Sequence, residues 1–293
     1  NLQTQDIAAK KVSASVISRP ESHSDLPVED VFSKCKVLLV EDNPVNQEVG
    51  RCTLEEIGLT NDVAPNGKLA LEMLASNDNE PYTLILLDCQ MPEMDGYQVC
   101  KGIRNGNAGE IYRNIPIIAL TANAMTGDKE KCIKAGMNDY LPKPFTPADL
   151  ITKLQRWLQF DASVKSVPIY ATPQKEVEEN EGIEAPIWLC AEALDSAMGR
   201  PEVLKKLLQL FCHQIEEQIA ALDHAYATSN TSDLTSIAHA VKGSAGQLHG
   251  IQLHRCAAKL EQAGKANDTI AIKQLYKEFK AHSENLKECF ESY

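Results

Sequence analysis

Short apolar runs alternate with amphipathic stretches in the first half of the chain. Four of these runs have the length and residue types of buried strands: Lys36–Val40, Leu84–Leu87, Ile117–Leu120 and a shorter run around Tyr140–Leu141. The stretches between them repeat their apolar residues at helical spacing, which is typical of strands joined by helical crossovers. We therefore predict a parallel sheet covered by helices, with the carboxyl ends of its strands gathered at one edge.

The second half of the chain, from about residue 186 onward, has helical spacing only. An apolar stripe with alternating spacings of four and three residues runs through Leu234, Ala238, Val241, Ala245 and Leu248. Similar stripes precede and follow it, and Gly264 is expected to end the helix that begins at Leu253. We predict an antiparallel four-helix bundle with one additional helix on its amino-terminal side.

Polar side chains follow the predicted strands. Each strand end carries one or two of them, namely Glu41 and Asp42, then Asp88, Thr121 and Lys143. Because the carboxyl ends of parallel strands meet at one edge of a sheet, we expect these five side chains to lie close together.

This set of residue types suits the transfer of a phosphoryl group to a carboxylate. Asp88 could act as the nucleophile and form an acyl phosphate. Both reacting groups are anionic, so a hard divalent cation would neutralise charge; Mg2+ fits best, held by Asp42 and Asp88 with Glu41 close by. Lys143 would place a positive charge on the phosphoryl oxygens, and the Thr121 hydroxyl would donate a hydrogen bond to them.

Four stretches of this half carry a resemblance to a known family. They read VLLVEDNPVN (residues 37–46), LLDCQMPEMDG (86–96), ALTANA (119–124) and DYLPKPF (139–145). On these motifs, residues 35–160 resemble a response-regulator receiver domain. The resemblance implies a flavodoxin-like, doubly wound α/β fold with a five-stranded parallel sheet.

The resemblance also implies a role for each acidic residue. Asp88 corresponds to the phosphoacceptor, which would carry a 4-aspartylphosphate. Glu41 and Asp42 correspond to the acidic pair that holds Mg2+, Glu41 through water. The backbone carbonyl of Gln90 would be the third protein ligand of the ion.

A conformational switch is implied in the same way. Thr121 and Tyr140 look like the switch pair of the family, in which movement of the hydroxyl toward the phosphoryl group leaves space for the aromatic ring to turn inward. The family also commonly has a cis peptide bond before the proline at the position of Pro144. A change of charge at Asp88 would thereby be relayed through a two-state element.

His239 lies on the helix of the apolar stripe but off the stripe itself. Lys242, Gly243 and Gly246 follow on its face, three, four and seven residues later. Glycine inside a helix costs about 1 kcal/mol relative to alanine, so two of them beside a histidine need a reason. We predict that both glycines clear a docking face for a second protein, which brings a carboxylate to the imidazole. Lys242 would stabilise a phosphoryl group on the ring.

The pattern Ala238-His239-x-x-Lys242-Gly243-Ser244-x-Gly246 resembles that of the histidine-containing phosphotransfer (HPt) domain, and the resemblance covers residues 186–293. A receiver followed by an HPt domain resembles the end of a hybrid, tripartite sensor histidine kinase of a two-component phosphorelay. This implies an upstream histidine kinase domain as donor, Asp88 and His239 as successive carriers, and a downstream response regulator receiver as acceptor. The chain has none of the kinase's ATP-binding motifs, so the sequence leaves open whether it is an enzyme.

Composition defines the remaining segments and argues against several functions. Residues 1–34 lack apolar periodicity and are predicted to be an amino-terminal linker, and residues 161–185 a flexible acidic linker. The net charge of −12 argues against nucleic-acid binding. No apolar run reaches about 18 residues, so we expect no membrane contact by this part of the protein. Nine cysteines without a C-x-x-C pair predict reduced, cytosolic thiols. The resemblance to hybrid sensor kinases implies that this is the cytoplasmic portion of an inner-membrane sensor kinase.

Two other functions stay open from the sequence. An aspartyl-phosphate phosphatase would also use an aspartate and Mg2+, but it normally carries a second carboxylate two residues further on, where this chain has Gln90. A non-transferring interaction module would use the receiver and the bundle as binding surfaces only. For transfer, Asp88 and His239 are expected to be exposed polar positions.

Overall fold

A computed structural model describes residues 35–76, 80–121, 126–158 and 185–293. The predicted linker 1–34 and residues 161–184 of the second predicted linker lie outside these ranges. The described residues form a parallel β-sheet with helices on both faces, followed by a region of helices only.

The strands of the sheet are β1 (Lys36–Val40), β2 (Thr60–Ala64), β3 (Leu84–Asp88), β4 (Ile117–Thr121) and β5 (Asp139–Pro142). All pair in parallel, in the order β2-β1-β3-β4-β5, so the predicted five-stranded parallel sheet is confirmed. The central strands β3 and β4 are buried along their whole length, as unbroken apolar runs predict. Strand β2 lies at an edge and reads TNDVA, a polar sequence from which no buried strand is predicted.

The helices of this half are α1 (Pro44–Glu56), α2 (Gly67–Ser76), α3 (Gly96–Arg104), α4 (Thr126–Lys134) and α5 (Pro147–Leu158), with a 3-10 turn at Glu110–Tyr112. Successive residues of β1 face opposite sides of the sheet. Leu38 and Val40 share an apolar cluster with residues of α2 and α3, whereas Val37 and Leu39 share one with residues of α1 and α5. This two-sided core is the doubly wound arrangement that the sequence predicts.

Helix α1 begins directly after the acidic pair. The Oδ1 of Asn43 accepts hydrogen bonds from the backbone N–H groups of Val45 at 3.0 Å and Asn46 at 3.3 Å. Pro44 occupies the first helical turn, where its missing N–H leaves no donor unpaired. The cap therefore keeps the preceding carboxylates in the loop at the carboxyl edge of the sheet.

The helical half consists of α6 (Cys190–Ser196), α7 (Pro201–Ala227), α8 (Thr231–Gln247), α9 (Ile251–Ala266) and α10 (Thr269–Glu291). The four long helices bury one apolar core, which includes Leu204, Phe211, Val241, Leu260 and Phe279. Within residues 185–293 this agrees with the predicted bundle and its additional short helix. No helix in the described part of the chain combines the length and the apolar character needed to cross a bilayer.

One predicted helix end is wrong. Helix α9 continues past Gly264 to Ala266, and Asn267, with φ of 52°, ends it in the left-handed conformation. Gly264 has a different task, because a Cβ at this position would lie 2.2 Å from the Oγ1 of Thr235. The glycine lets helices α8 and α9 approach each other closely.

Helix α1 of the α/β half packs against α7 and α8 of the helical half. Its contribution to the contact is a group of apolar side chains buried in the same cluster as the bundle core: Val45, Val49 and Cys52. Nearby, the Nδ2 of Asn43 donates a hydrogen bond to the backbone oxygen of Ala240 at 3.2 Å. The bundle therefore covers the loop between β1 and α1, at the edge where the strand-end carboxylates gather.

Candidate functional site

Three carboxylates meet at the carboxyl edge of the sheet, and together we call them the acidic cluster. Glu41 and Asp42 follow β1, Asp88 ends β3, and these two strands are neighbours. One oxygen from each carboxylate lies within 4.8 Å of the other two. Burial raises the pKa of both Glu41 and Asp42, and the nearby charge of Asp88 raises both further. Three acidic groups this close need a cation to remain ionised together.

Lys143 supplies a positive charge to the acidic cluster. Its Nζ donates hydrogen bonds to the Oδ2 of Asp88 at 2.6 Å and to the Oε2 of Glu41 at 2.5 Å. Burial alone would lower the pKa of Lys143, but the two carboxylates outweigh burial and raise it above its ordinary value. The peptide bond between Lys143 and Pro144 is cis, as the resemblance predicts.

Asp88 is more buried than the sequence predicts. The residue exposes 4% of its surface, so the expectation of an exposed carboxylate is wrong. The reason is that both of its oxygens are covered: the backbone N–H of Gln90 donates to Oδ1 at 3.1 Å, and Lys143 contacts Oδ2. The backbone of Gln90 thus lies beside the acidic cluster.

The predicted switch residues lie on adjacent strands. Thr121 ends β4 and is buried, and Tyr140 lies on β5 with its side chain half-buried. Two lysines approach the Tyr140 ring: the Nζ of Lys129 is 5.6 Å and that of Lys153 is 5.1 Å from the ring centroid. Cations at these distances are attracted to the face of an aromatic ring and favour the present orientation of Tyr140.

His239 belongs to a network centred on a carboxylate of the neighbouring helix α9. The Nδ1 of His239 lies 3.0 Å from the Oε1 of Glu261, and the Nζ of Lys242 donates to the Oε2 of Glu261 at 2.6 Å. Lys265 also donates to Glu261, at 2.6 Å. Burial would raise the pKa of Glu261, but the hydrogen bonds from His239, Lys242 and Lys265 outweigh burial and hold the pKa well below its usual range.

Sequence reasoning did not select Glu261, although the pattern contains a signal. Leu253 and Ala257 are buried at a spacing of four residues, and Glu261 is the next position on that face. A carboxylate at a position where the helical period predicts an apolar residue needs a charged or hydrogen-bonding partner inside the bundle. Here the partners are provided by α8 and by the next turn of α9.

The two glycines beside His239 have different surroundings. A Cβ at Gly243 would lie 3.5 Å from the Nδ2 of Asn46 on α1, an ordinary contact distance, so Gly243 faces the α/β half of the same chain, whereas the sequence predicts a face for a second protein. Gly246 is buried inside the bundle instead, where a Cβ would lie 2.7 Å from the Nδ1 of His254. Its lack of a side chain makes room for His254 and not for a docking protein.

The contact between the two halves brings His239 near the acidic cluster, because the backbone oxygen of Ala240, the next residue, accepts a hydrogen bond from Asn43, the residue after Asp42. A positive charge on His239 lowers the pKa of Asp42, although burial and the charge of Asp88 have the larger, opposite effects. The side chain of His239 exposes 22% of its surface, so it is half-buried and not the exposed position that the sequence predicts, because Glu261 covers its Nδ1. The contact thus brings an imidazole and a carboxylate cluster with a bound lysine to one place, which is the composition of a phosphoryl-transfer site.

Comparison with known families agrees with this composition. The response regulator receiver domain matches residues 37–155, and the Hpt domain matches residues 206–288. The chain contains a receiver domain followed by an Hpt domain. Both resemblances noted in the sequence are confirmed, and the pair of domains belongs to phosphorelay signalling.

The receiver and Hpt domains match the corresponding region of hybrid sensor histidine kinases. Sensor histidine kinase GacS of Pseudomonas protegens is 28% identical over 277 residues, which cover 94% of this chain and 29% of GacS. Histidine-protein kinase BarA of Escherichia coli K12 is 30% identical over 222 residues, which cover 75% of this chain and 23% of BarA. The chain therefore spans less than a third of the length of these relatives.

Solved structures similar to the receiver domain include that of sensor histidine kinase PA1611 from Pseudomonas aeruginosa PAO1. The two sequences are 46% identical, and the match covers 43% of this chain and 98% of the PA1611 chain, with a TM-score of 0.39. A magnesium ion is coordinated in the active-site cleft of that receiver domain. Vibrio cholerae chemotaxis protein CheY4 is 29% identical over 42% of this chain and 98% of its own, with a TM-score of 0.38.

Proposed function

We propose that this chain passes a phosphoryl group between Asp88 of the receiver domain and His239 of the Hpt domain. The observation that supports this best is the contact beside both residues: the Nδ2 of Asn43, next to Asp42 in the chain, donates a hydrogen bond to the backbone oxygen of Ala240, next to His239, at 3.2 Å. Transfer within one chain then needs a local rearrangement of the contact and no search for a second molecule.

The contact of Glu261 with His239 favours one ring nitrogen as the nucleophile. An ionised carboxylate only accepts hydrogen bonds, so the Nδ1 of His239 carries the proton and Nε2 carries the free lone pair. Nε2 attacks phosphorus and forms the new nitrogen–phosphorus bond. The bond from phosphorus to the Asp88 oxygen breaks, and its electron pair stays on the restored carboxylate.

Charge is balanced by neighbouring groups during this step. The proton remains on Nδ1, where Glu261 offsets the positive charge that develops on the ring. Lys242 contacts Glu261 beside the ring and would stabilise the phosphoryl oxygens on His239. In the receiver domain, Lys143 would likewise stabilise the phosphoryl oxygens on Asp88. The two linkages are both of high energy, so the step is reversible.

Mg2+ is the cofactor that the acidic cluster fits. Its three carboxylates offer the hard oxygen ligands that this ion prefers, and one oxygen from each lies within 4.8 Å of the others. In this proposal Asp42, Asp88 and the backbone carbonyl of Gln90 hold the ion, with Glu41 contributing through water. Bound Mg2+ would neutralise negative charge between Asp88 and the incoming phosphoryl group.

The remaining parts of the relay are assigned by analogy with hybrid sensor kinases. An upstream histidine kinase domain would supply the phosphoryl group, and the receiver of a downstream response regulator would accept it from His239. Thr121 and Tyr140 would respond to phosphorylation of Asp88 as the switch pair. The analogy also assigns the chain to the cytoplasmic portion of a membrane-anchored kinase.

Labelling with acetyl phosphate tests the relay and separates it from the two alternatives. The full chain with Mg2+ is expected to carry label first on Asp88, as an acyl phosphate, and then on His239, as an acid-labile and alkali-stable phosphoramidate. Asp88→Asn is expected to abolish both labels, and His239→Gln only the second.

Two outcomes would contradict the proposal. Label that stays on Asp88 and never reaches His239 would support a non-transferring interaction module. Steady release of phosphate from a small phosphomonoester would support an aspartyl-phosphate phosphatase, which the amide at Gln90 disfavours.

A further inference from the structure

The contact between the receiver and Hpt domains has an apolar centre and a charged rim. The centre on the receiver side consists of Val45, Val49 and Cys52. At the rim, the Nζ of Lys206 donates to the Oε1 of Glu48 at 2.8 Å, and the Nη1 of Arg200 donates to the Oε2 of Glu56 at 3.1 Å. Two ion pairs therefore join α1 to the first part of α7.

Both rim pairs have the same polarity, with the cation on the Hpt domain and the carboxylate on the receiver domain. Arg200 caps the amino end of α7, and Lys206 lies on the same helix. Burial would raise the pKa of Glu48, but hydrogen bonds from Arg51 and Lys206 outweigh burial and lower it to about 2. The carboxylate of Glu48 is thus ionised at neutral pH, where it forms a charged pair with Lys206.

We propose that Arg200 and Lys206 are specificity-determining residues of the Hpt domain. They select a receiver whose first helix carries a small apolar stripe flanked by carboxylates, and the occupant of this surface is the chain's own receiver domain. Complementary charges around an apolar centre speed docking and fix its register, whereas like charges repel a wrong partner. A receiver with basic residues at the positions of Glu48 and Glu56 would be rejected.

The selection has a consequence for the order of the relay. His239 and the rim cations are on one face, so the chain's own receiver and a second receiver cannot occupy it together. Release of the receiver domain must therefore precede delivery of the phosphoryl group from His239 to another protein. This inference rests on the proposed relay, but the docking that it describes can be measured without any transfer.

Alkylation of Cys52 measures docking in the full, unphosphorylated chain. Cys52 exposes 5% of its surface and lies in the apolar centre, so iodoacetamide reaches it when the domains separate. The modified fraction is followed by peptide-resolved mass spectrometry, with the more exposed Cys289 as internal reference. In the unchanged chain Cys52 is expected to react far more slowly than in the chain unfolded by urea.

Charge reversal tests the two cations. Arg200→Glu and Lys206→Glu are each expected to raise the rate of Cys52 modification roughly 3- to 10-fold, since an attraction is replaced by a repulsion. The matched control is Lys205→Glu, the same change of charge at the exposed residue next to Lys206. Among the described residues, Lys205 forms no ion pair with the receiver domain. It is expected to change the rate less than twofold.

The reciprocal exchange makes the test independent of stability. Arg200→Glu combined with Glu56→Arg restores an opposite pair and is expected to return the rate to near that of the unchanged chain. Equal rates in all variants, no recovery in the exchange variant, or Cys52 as reactive as in urea would each overturn the inference. Phosphoryl transfer is followed in parallel: charge-sensitive protection of Cys52 without transfer to His239 would refute the relay and leave the docking proposal intact.

Discussion

The Nδ1 of His239 lies 3.0 Å from the Oε1 of Glu261, a residue 22 positions further along the chain and on the neighbouring helix of the bundle. Lys242 and Lys265 donate hydrogen bonds to the same carboxylate. The pKa of Glu261 is held below its usual range because these donors outweigh the effect of burial. The ionised carboxylate therefore holds the imidazole in one orientation.

Replacing Glu261 is expected to slow transfer without removing the nucleophile. Glu261→Gln keeps an oxygen that can accept from the ring but loses the negative charge that stabilises the imidazolium. We expect transfer from Asp88 to His239 to slow on the order of 10-fold, and Glu261→Ala to slow it further. The control is Glu284→Gln, the same change at an exposed position of α10. Single-turnover transfer rates in the two variants would be compared, and equal rates would contradict an orienting role.

Labelling of Asp88 is expected to require Mg2+. Chelation should prevent its phosphorylation by acetyl phosphate, and Asp42→Asn should raise the Mg2+ concentration needed by roughly 10- to 100-fold, because one charged ligand is lost. Glu72→Gln removes a carboxylate from an exposed position of α2 and serves as the matched control. Calorimetric titration with Mg2+ checks binding separately from labelling, and equal affinity in both variants would contradict the assigned site.

Alanine is expected to have opposite effects at the two glycines beside His239. Gly246→Ala would place its Cβ 2.7 Å from the Nδ1 of His254, which hydrogen-bonds to the backbone oxygen of Lys242 at 2.9 Å. We expect a loss of about 1–3 kcal/mol in the free energy of unfolding, measured in urea. Gly243→Ala meets only an ordinary contact and should gain up to about 1 kcal/mol from helix propensity.

A larger side chain at Gly243 is expected to separate folding from docking. Gly243→Phe has room on the free Hpt domain but would collide with Asn46 of α1, which lies 3.5 Å from an added Cβ. Thermal unfolding should change little, while transfer within the chain should fall more than 10-fold. Unchanged transfer in this variant would mean that the two domains meet through another surface.

The bundle is expected to lose stability in mild acid. Burial lowers the pKa of His249 and of His254 below the ordinary value of 6.5, so the unfolded chain binds protons that the folded chain does not. Above pH 6.5 both histidines are neutral in the folded and the unfolded chain, and stability is complete. It is lost as the pH falls toward the lower pKa values that the two histidines have in the folded state. Thermal midpoints at pH 7.5 and 5.5 measure the loss. His249→Asn removes one titrating group and should reduce the difference between the two thermal midpoints. Asparagine tolerates the left-handed backbone at this position, where φ is 55°.

Much of the receiver domain follows from local sequence patterns. The apolar runs at β1, β3 and β4 predict buried strands, and the parallel arrangement brings Asp42 and Asp88 to one edge, because the ends of parallel strands always meet there. The polar edge strand β2 has no such pattern. The spacing likewise predicts that His239 and Gly243 share a face of α8, since the helical period fixes which residues lie together.

Contacts between elements were decided only by the tertiary structure. The partner of His239, the tasks of Gly246 and Gly264, and the burial of Asp88 all depend on how closely two helices cross or which side chain covers a strand end. Helical and strand periods determine the direction in which a side chain points along its own element, but not the distance or register of the neighbouring one. For this reason the fold and the family of each domain could be predicted from the sequence, whereas the docking of the two domains could not.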